Sequence, residues 1–105
     1  MRYYQLAYFI DLHDGYRQVF QIEHHRLLLI QEAGQRYLIE ATCPHRGHPL
    51  TAADVDPEAG TVRCALHDYR FALNTGALLY ATEEPCRGLR RYTIVERERD
   101  LGVIL

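Results

Sequence analysis

The chain has 105 residues, of which 12 are arginine, none is lysine and 14 are acidic, giving a formal net charge of −2. This length suffices for one small domain with a buried core, and we expect a single domain over residues 1–105. The near-neutral charge excludes the basic surfaces of nucleic-acid-binding and polybasic membrane-binding proteins, and the 48% hydrophobic content excludes wholesale disorder.

Short runs rich in Tyr, Val, Ile and Leu recur along the chain, separated by glycine-containing or charged turns. The period of two that a half-buried strand requires is clearest in Arg36–Thr42. Tyr3–Ala7 is predicted to be an edge strand, and Ala33-Gly34 is predicted to be a turn. In chain order the predicted strands are Tyr3–Ala7, Tyr16–Ile22, Arg26–Gln31, Arg36–Thr42, Thr61–Cys64, Arg70–Leu73 and Leu78–Tyr80.

The C-terminal residues are predicted to form a last hairpin. In it, Leu89–Val95 would pair with Leu101–Leu105 across Glu96–Gly102. Several short strands at this spacing, with no internal repeat or linker, indicate an all-β fold: a small antiparallel barrel or sandwich.

The N-terminal residues do not resemble an export signal, because their apolar stretch is short and no small-residue cleavage site follows it. The longest apolar run, Leu27–Ile30, is far below the ~20 residues that cross a bilayer. We therefore expect a cytoplasmic protein. In a reducing compartment, three cysteines suit metal or redox chemistry better than a disulfide framework.

Two predicted strands each run into a loop that begins with cysteine and has a histidine two or three positions later. The loops contain Cys43 and His45, and Cys64 and His67, with 18 residues between His45 and Cys64. Each spacing lets one tight loop direct two ligands at a common point. Thiolate and imidazole ligands favour zinc, copper or iron–sulfur iron over magnesium or calcium.

These two loops resemble those of the Rieske-type [2Fe–2S] ferredoxins, whose defining pattern is C-x-H followed by C-x-x-H. The resemblance extends from the hairpin near Leu27 to Leu105. The matching segments are Cys43-Pro44-His45-Arg46-Gly47, Pro49-Leu50, Gly60, Cys64-Ala65-Leu66-His67, Tyr69-Arg70-Phe71 and Thr75-Gly76.

The resemblance implies a Rieske-like β-barrel or sandwich with two cluster-binding loops and one [2Fe–2S] cluster per chain. Cys43 and Cys64 would hold one iron, and His45 and His67 the other. Pro85 would belong to a third loop that shields the cluster. Two neutral imidazoles in place of thiolates raise the reduction potential to about −150 to +300 mV, against roughly −400 mV for plant-type ferredoxins.

This sequence differs from the high-potential Rieske proteins at several positions, and these differences indicate which subtype of the family it resembles. The high-potential members of respiratory cytochrome complexes have an extra cysteine in each loop, where this chain has His48 and Leu66, so no bridging disulfide can form. Tyr69 stands where those members have a serine that donates a hydrogen bond to the cluster. Fewer hydrogen-bond donors to the cluster stabilise its reduced state less, which indicates a reduction potential at the low end of the Rieske range. Asp68 occupies a position where glycine is commoner.

The implied function is one-electron transfer from a reductase to a terminal oxygenase or similar oxidoreductase, by a carrier that is not itself an enzyme. An alternative within the family is the small subunit of an assimilatory nitrite reductase. An oxygenase acting alone would need a further 2-His-1-carboxylate iron site, which we cannot place in this chain.

The residues alone leave other interpretations open. A closed Cys2His2 zinc site would give a binding module without a redox role. Cys43 and His45 as hydrolase nucleophile and base lack a third residue to orient them. His48, at His-x-x-His spacing from His45, is either a further ligand or a loop or docking residue.

One further cysteine and two groups of charged residues are interpreted without a role in metal binding. Cys86 is interpreted as a small, half-buried hydrophobe. The acids Asp54, Asp56 and Glu58 are predicted to lie in a solvated loop, with an electrostatic docking surface as the alternative. Arg87, Arg90 and Arg91 are predicted to lie on a solvated strand edge, with a contact face for an acidic reductase or oxidase as the alternative.

Overall fold

Ten short strands form three antiparallel sheets in the computed structural model, which describes residues 1–105. The strands are β1 (Tyr3–Tyr8), β2 (Arg17–Ile22), β3 (His25–Glu32), β4 (Gln35–Glu40), β5 (Asp54–Asp56), β6 (Thr61–Arg63), β7 (Arg70–Ala72), β8 (Leu78–Tyr80), β9 (Val95–Glu96) and β10 (Asp100–Ile104). Single 3₁₀ turns occupy Phe9–Asp11 and Leu50–Ala52. The predicted all-β, antiparallel architecture is confirmed. No helix is long and apolar enough to cross a membrane.

The central strand of the first sheet, β2–β3–β4, has both faces buried. Leu28 and Ile30 of β3 belong to a core that also surrounds the cysteine loops. Leu27 and Leu29 point the other way, into a second core. This explains the four-residue apolar run Leu27–Ile30, which a strand with one solvated face would not need.

The second sheet has the order β1–β10–β9, with β1 at its edge as predicted. Gly102 of β10 leaves no room for a side chain, because a Cβ atom there would lie 2.1 Å from the Tyr4 carbonyl oxygen.

The predicted last hairpin is wrong in its first strand. Only Val95–Glu96 pairs with β10. The preceding residues pair with β4 instead: Glu40 N–H donates to Arg90 O at 3.0 Å, and Tyr92 N–H donates to Leu38 O at 2.9 Å. The main-chain groups of residues 90–92 therefore bond to the open edge of β4 and not, as predicted, to β10.

The third sheet, β5–β6–β7–β8, supports the second cysteine loop. Its first strand contradicts the predicted solvated loop, because Asp54, Val55 and Asp56 pair in register with Arg63, Val62 and Thr61. β5 is an edge strand with both aspartates facing water and only Val55 packed against the core. Its sequence therefore does not show the hydrophobic pattern of a strand.

Candidate metal centre

The first cysteine loop follows β4 and closes on itself through main-chain hydrogen bonds. Cys43 N–H donates to His48 O at 2.8 Å, and Gly47 N–H donates to Cys43 O at 2.7 Å. Gly47 has φ of 72°, the left-handed conformation that glycine adopts at little cost.

The second loop, between β6 and β7, repeats this pattern. Cys64 N–H donates to Tyr69 O at 2.8 Å, and Asp68 N–H donates to Cys64 O at 2.9 Å. Asp68 matches Gly47 in position and is also left-handed, with φ of 56°. This backbone requirement explains why glycine suits the position. Arg70 and Arg63 bond to the Asp68 carboxylate at 3.3 and 3.4 Å and hold its pKa below the ordinary value.

The two loops bring all four predicted ligands together. Cys43 and Cys64 are only 1% and 0% exposed and belong to the same core. The rings of His45 and His67 meet edge to face, with their centroids 5.0 Å apart. The Nδ1 atoms of both imidazoles are buried and have no hydrogen-bond partner. A buried nitrogen left unpaired is costly unless something else occupies its lone pair.

The Cys43 thiol keeps its proton when no cation is bound. Burial, together with the neighbouring Cys64, raises the pKa of this thiol to about 11. A metal would bind the thiolate in place of that proton, so metal binding here would be accompanied by proton release.

This donor set consists of two neighbouring buried thiols and two imidazoles in edge-to-face contact, each with an unpartnered Nδ1 atom. A tetrahedral zinc site needs four ligands at one centre. A Rieske cluster needs only two cysteines on one iron and two histidines on the other. The residues present therefore fit the iron–sulfur group.

Tyr69 packs against one candidate ligand and also bonds to the segment that follows β8. Its side chain is fully buried, and its ring stacks on the His45 imidazole with centroids 4.0 Å apart and planes 9° apart. Its hydroxyl donates to the main-chain oxygen of Glu84. Tyr69 therefore fixes the plane of one candidate ligand and anchors the segment that follows β8.

That segment, residues 81–88, is the third loop, and it contacts both cysteine loops. Glu83 Oε1 lies 3.4 Å from His45 Nε2. The hydroxyl of Thr82 donates to the main-chain oxygen of His67 at 2.7 Å. Neither contact was predicted, because nothing in the spacing of Thr82 and Glu83 relates them to the C-x-H and C-x-x-H patterns.

Two further residues singled out in the sequence lie beside this centre. The main-chain oxygen of His48 accepts a hydrogen bond from Cys43 N–H, and its side chain makes no hydrogen bond. Cys86 is half-buried and packs against the core that contains Cys43 and Cys64, as its interpretation as a small hydrophobe predicted.

Comparison with known families gives a match over residues 2–93 to the Rieske [2Fe-2S] domain. A curated relative is the ferredoxin component of the alkene monooxygenase system of Xanthobacter autotrophicus (strain ATCC BAA-1158 / Py2). It is 30% identical over 66 residues, which are 63% of this chain and 53% of that protein. The matched region thus spans about half the length of this relative.

Comparison with solved structures shows the same fold. The ferredoxin of carbazole 1,9a-dioxygenase from Nocardioides aromaticivorans IC177 superposes with a TM-score of 0.81 at 24% identity, covering 98% of this chain and 97% of that one. The Sphingomonas yanoikuyae B1 ferredoxin gives a TM-score of 0.76 at 19% identity, covering 97% of each chain. The terminal oxygenase from N. aromaticivorans IC177 gives 0.79 at 23% identity, but only 30% of its chain is covered.

Proposed function

This chain belongs to the Rieske [2Fe-2S] domain family, and from that premise we propose that it is a one-electron carrier of an oxygenase system. It would take electrons from a reductase and pass them to a terminal oxygenase. The observation that supports this most directly is the pair of buried, unpartnered Nδ1 atoms of His45 and His67 beside two buried thiols. The printed function of the alkene monooxygenase ferredoxin supports the choice of an oxygenase partner.

Cys43 and Cys64 would hold one iron as thiolates, and His45 and His67 would hold the other through Nδ1. We propose one cluster per chain, formed within the single domain of residues 1–105. When bound, the cluster would supply reversible one-electron chemistry. The cytoplasmic location predicted from the sequence belongs to the same proposal.

The chain's own residues prepare the site for this role. Burial of both cysteines excludes water from the sulfur ligands, while the main-chain bonds within each loop fix the cysteine positions. Tyr69 orients His45 by stacking. Such fixed surroundings would hold the four ligands in the same places before and after electron transfer, so little reorganisation would accompany it.

Electron paramagnetic resonance of the chemically reduced protein tests the proposal, together with iron and acid-labile sulfide analysis. We expect a Rieske-type signal and two irons and two sulfides per chain. Cys64→Ser should lose this signal, while the matched variant Cys86→Ser should keep it because Cys86 is not a ligand. A colourless protein that binds zinc and gives no signal after reconstitution would contradict the proposal and support a zinc-stabilised binding module.

Partner identity needs a separate measurement. Rapid mixing of the reduced protein with an oxidised Rieske terminal oxygenase should oxidise the carrier in a second-order reaction that delivers one electron per chain. The nitrite reductase alternative would be favoured instead if the protein co-purified in a fixed complex with a large reductase subunit and did not react with an oxygenase.

A further inference from the structure

The two candidate histidine ligands lie in different surroundings. The side chain of His45 is only 8% exposed, with Tyr69 stacked on its face and the polar side chains of Glu83 and Arg46 at its edge. His67 contacts the edge of His45, and its ring makes no hydrogen bond or ion pair. Of the two imidazoles, only that of His45 forms contacts with charged side chains within ion-pair distance.

Both charges lie against the same atom of His45. Glu83 Oε1 is 3.4 Å from His45 Nε2, and Arg46 Nε–H donates to the same nitrogen at 3.3 Å. With iron on Nδ1 the neutral ring would carry its proton on Nε2, which could then donate to Glu83, while Arg46 would act through its charge alone. Because the buried Nδ1 atom is the one left for iron, Nε2 is the nitrogen that remains for contacts with the protein. A carboxylate on the outer nitrogen of a metal-bound histidine orients the ring and makes it a stronger electron donor.

The two charges act on an added electron in opposite directions. Reduction places negative charge on the cluster, which a nearby carboxylate opposes and a nearby guanidinium favours. Glu83 and Arg46 also approach each other, with Oε1 and Nη2 3.7 Å apart. Each therefore offsets part of the other's effect, so removing either one alone should reveal its influence.

Solvent limits the size of these effects. The side chains of Glu83 and Arg46 are 48% and 62% exposed, so salt screens their charges. This provides a means of separating an electrostatic effect from a structural one, because a change in loop packing would not disappear at high ionic strength.

We propose that Glu83 is a positioning residue that lowers the reduction potential of the cluster through His45 Nε2, and that Arg46 acts on the same atom to raise it. This inference rests on the proposed function, since it takes His45 to be an iron ligand. It adds that the third loop tunes the cluster through the ring of His45, whereas its contact with His67 is to the main-chain oxygen.

The test compares the midpoint potentials of the cluster-loaded protein and three variants at neutral pH and low ionic strength. Glu83→Gln should raise the potential, and Arg46→Gln should lower it. Glu84→Gln is the matched control, because the Glu84 carboxylate makes no ion pair and only its main-chain oxygen contacts Tyr69. It should shift the potential less than Glu83→Gln does, because only Glu83 contacts His45 Nε2. High salt should shrink both shifts.

Pulsed paramagnetic resonance provides a second readout that does not depend on electron-transfer activity. The two histidine nitrogens bound to iron give separate couplings, and Glu83→Gln should change one of them and leave the other as in the native protein. A structural role for Glu83 alone would lower cluster retention without this selective change.

The outcomes separate this inference from the proposed function. If the native protein gives no Rieske signal, both fail. If it gives the signal but Glu83→Gln and Glu84→Gln have the same potential and the same nitrogen couplings, the carrier function stands and the role of Glu83 is overturned. Shifts of the same sign for Glu83→Gln and Arg46→Gln would also overturn it.

Discussion

Glu40 and Arg87 form a bidentate ion pair, with both nitrogen–oxygen distances at 2.8 Å. Glu40 is one of the few polar residues in the interior, at 8% exposure, and it also accepts a hydrogen bond from Arg90 N–H at 3.0 Å. The pair joins β4, just before the first cysteine loop, to the end of the third loop. Arg87 therefore does not lie on a solvated strand edge as predicted.

Loss of this pair should destabilise the protein. Arg87→Met would leave the Glu40 carboxylate buried without its charged partner, and we expect the free energy of unfolding to fall by about 1–3 kcal/mol. The value lies below that of a fully buried pair because the Arg87 side chain is 47% exposed. Urea unfolding measures it. Arg90→Met is the control, since that guanidinium forms no ion pair, and an equal loss in both variants would contradict the assignment.

Gly76 should tolerate alanine far less well than Gly34. Both residues are left-handed, with φ of 79° and 75°, so alanine costs each about 1–2 kcal/mol in backbone strain. At Gly76 the added Cβ would also lie 2.1 Å from the Leu89 carbonyl oxygen, whereas at Gly34 it would meet nothing. We expect Gly76→Ala to cost about 3 kcal/mol or more by urea unfolding. Similar losses in the two variants would show that backbone strain alone matters.

Tyr69 should stabilise the fold through its hydroxyl and retain the cluster through its ring, and two substitutions separate these effects. Tyr69→Phe removes the hydrogen bond to Glu84 but keeps the stacked ring, so we expect a loss of about 0.5–1.5 kcal/mol with an unchanged Rieske spectrum. Tyr69→Leu removes the ring as well, and iron should then be released faster to a chelator. Equal rates of iron release in the two variants would mean that the stacking on His45 does not retain the cluster.

Asp14 should make stability depend on pH in the acid range. Its carboxylate accepts hydrogen bonds from Gly34 N–H at 2.9 Å and Gln31 Nε2 at 3.2 Å, which lower its pKa. A lowered folded-state pKa means that this stabilisation is present above the ordinary aspartate pKa. It is lost as pH falls through the folded-state value.

Urea unfolding at successively lower pH measures this effect as the difference between the native protein and Asp14→Asn. The difference should be constant near neutral pH and should shrink below the ordinary aspartate pKa. Asp11→Asn is the control, since the Asp11 carboxylate makes no hydrogen bond. A difference for Asp14→Asn that stayed constant throughout would contradict the prediction.

The sequence predicted best those features that depend on residue types at short, fixed spacings. The order and spacing of Cys43, His45, Cys64 and His67 predicted residues that the fold does bring together. β4 was recognisable from its apolar residues, but the expected half-buried alternation is wrong, because Leu38 and Ile39 are buried in different cores and Glu40 is buried as well. Pro85 was expected in a third loop beside the site, and residues 81–88 form such a loop.

The errors came from contacts between distant parts of the chain. Pairing of Tyr92 with Leu38 rather than with β10 depends on which strand edge is open, and no local pattern encodes that. β5 was missed because its aspartates face water. The contact of Glu83 with His45 likewise arises only when the third loop folds over the first.

Because side chains alternate along β3, this one strand contributes residues to both hydrophobic cores. Leu28 and Ile30 face the core around the metal centre, while Leu27 and Leu29 face the core built with Leu101 and other residues of the terminal sheet. Removal of the proposed cluster would loosen packing on the first side only. The metal-free chain should therefore unfold in parts, with slow amide hydrogen exchange persisting in β3 and β10 after the cysteine loops exchange freely.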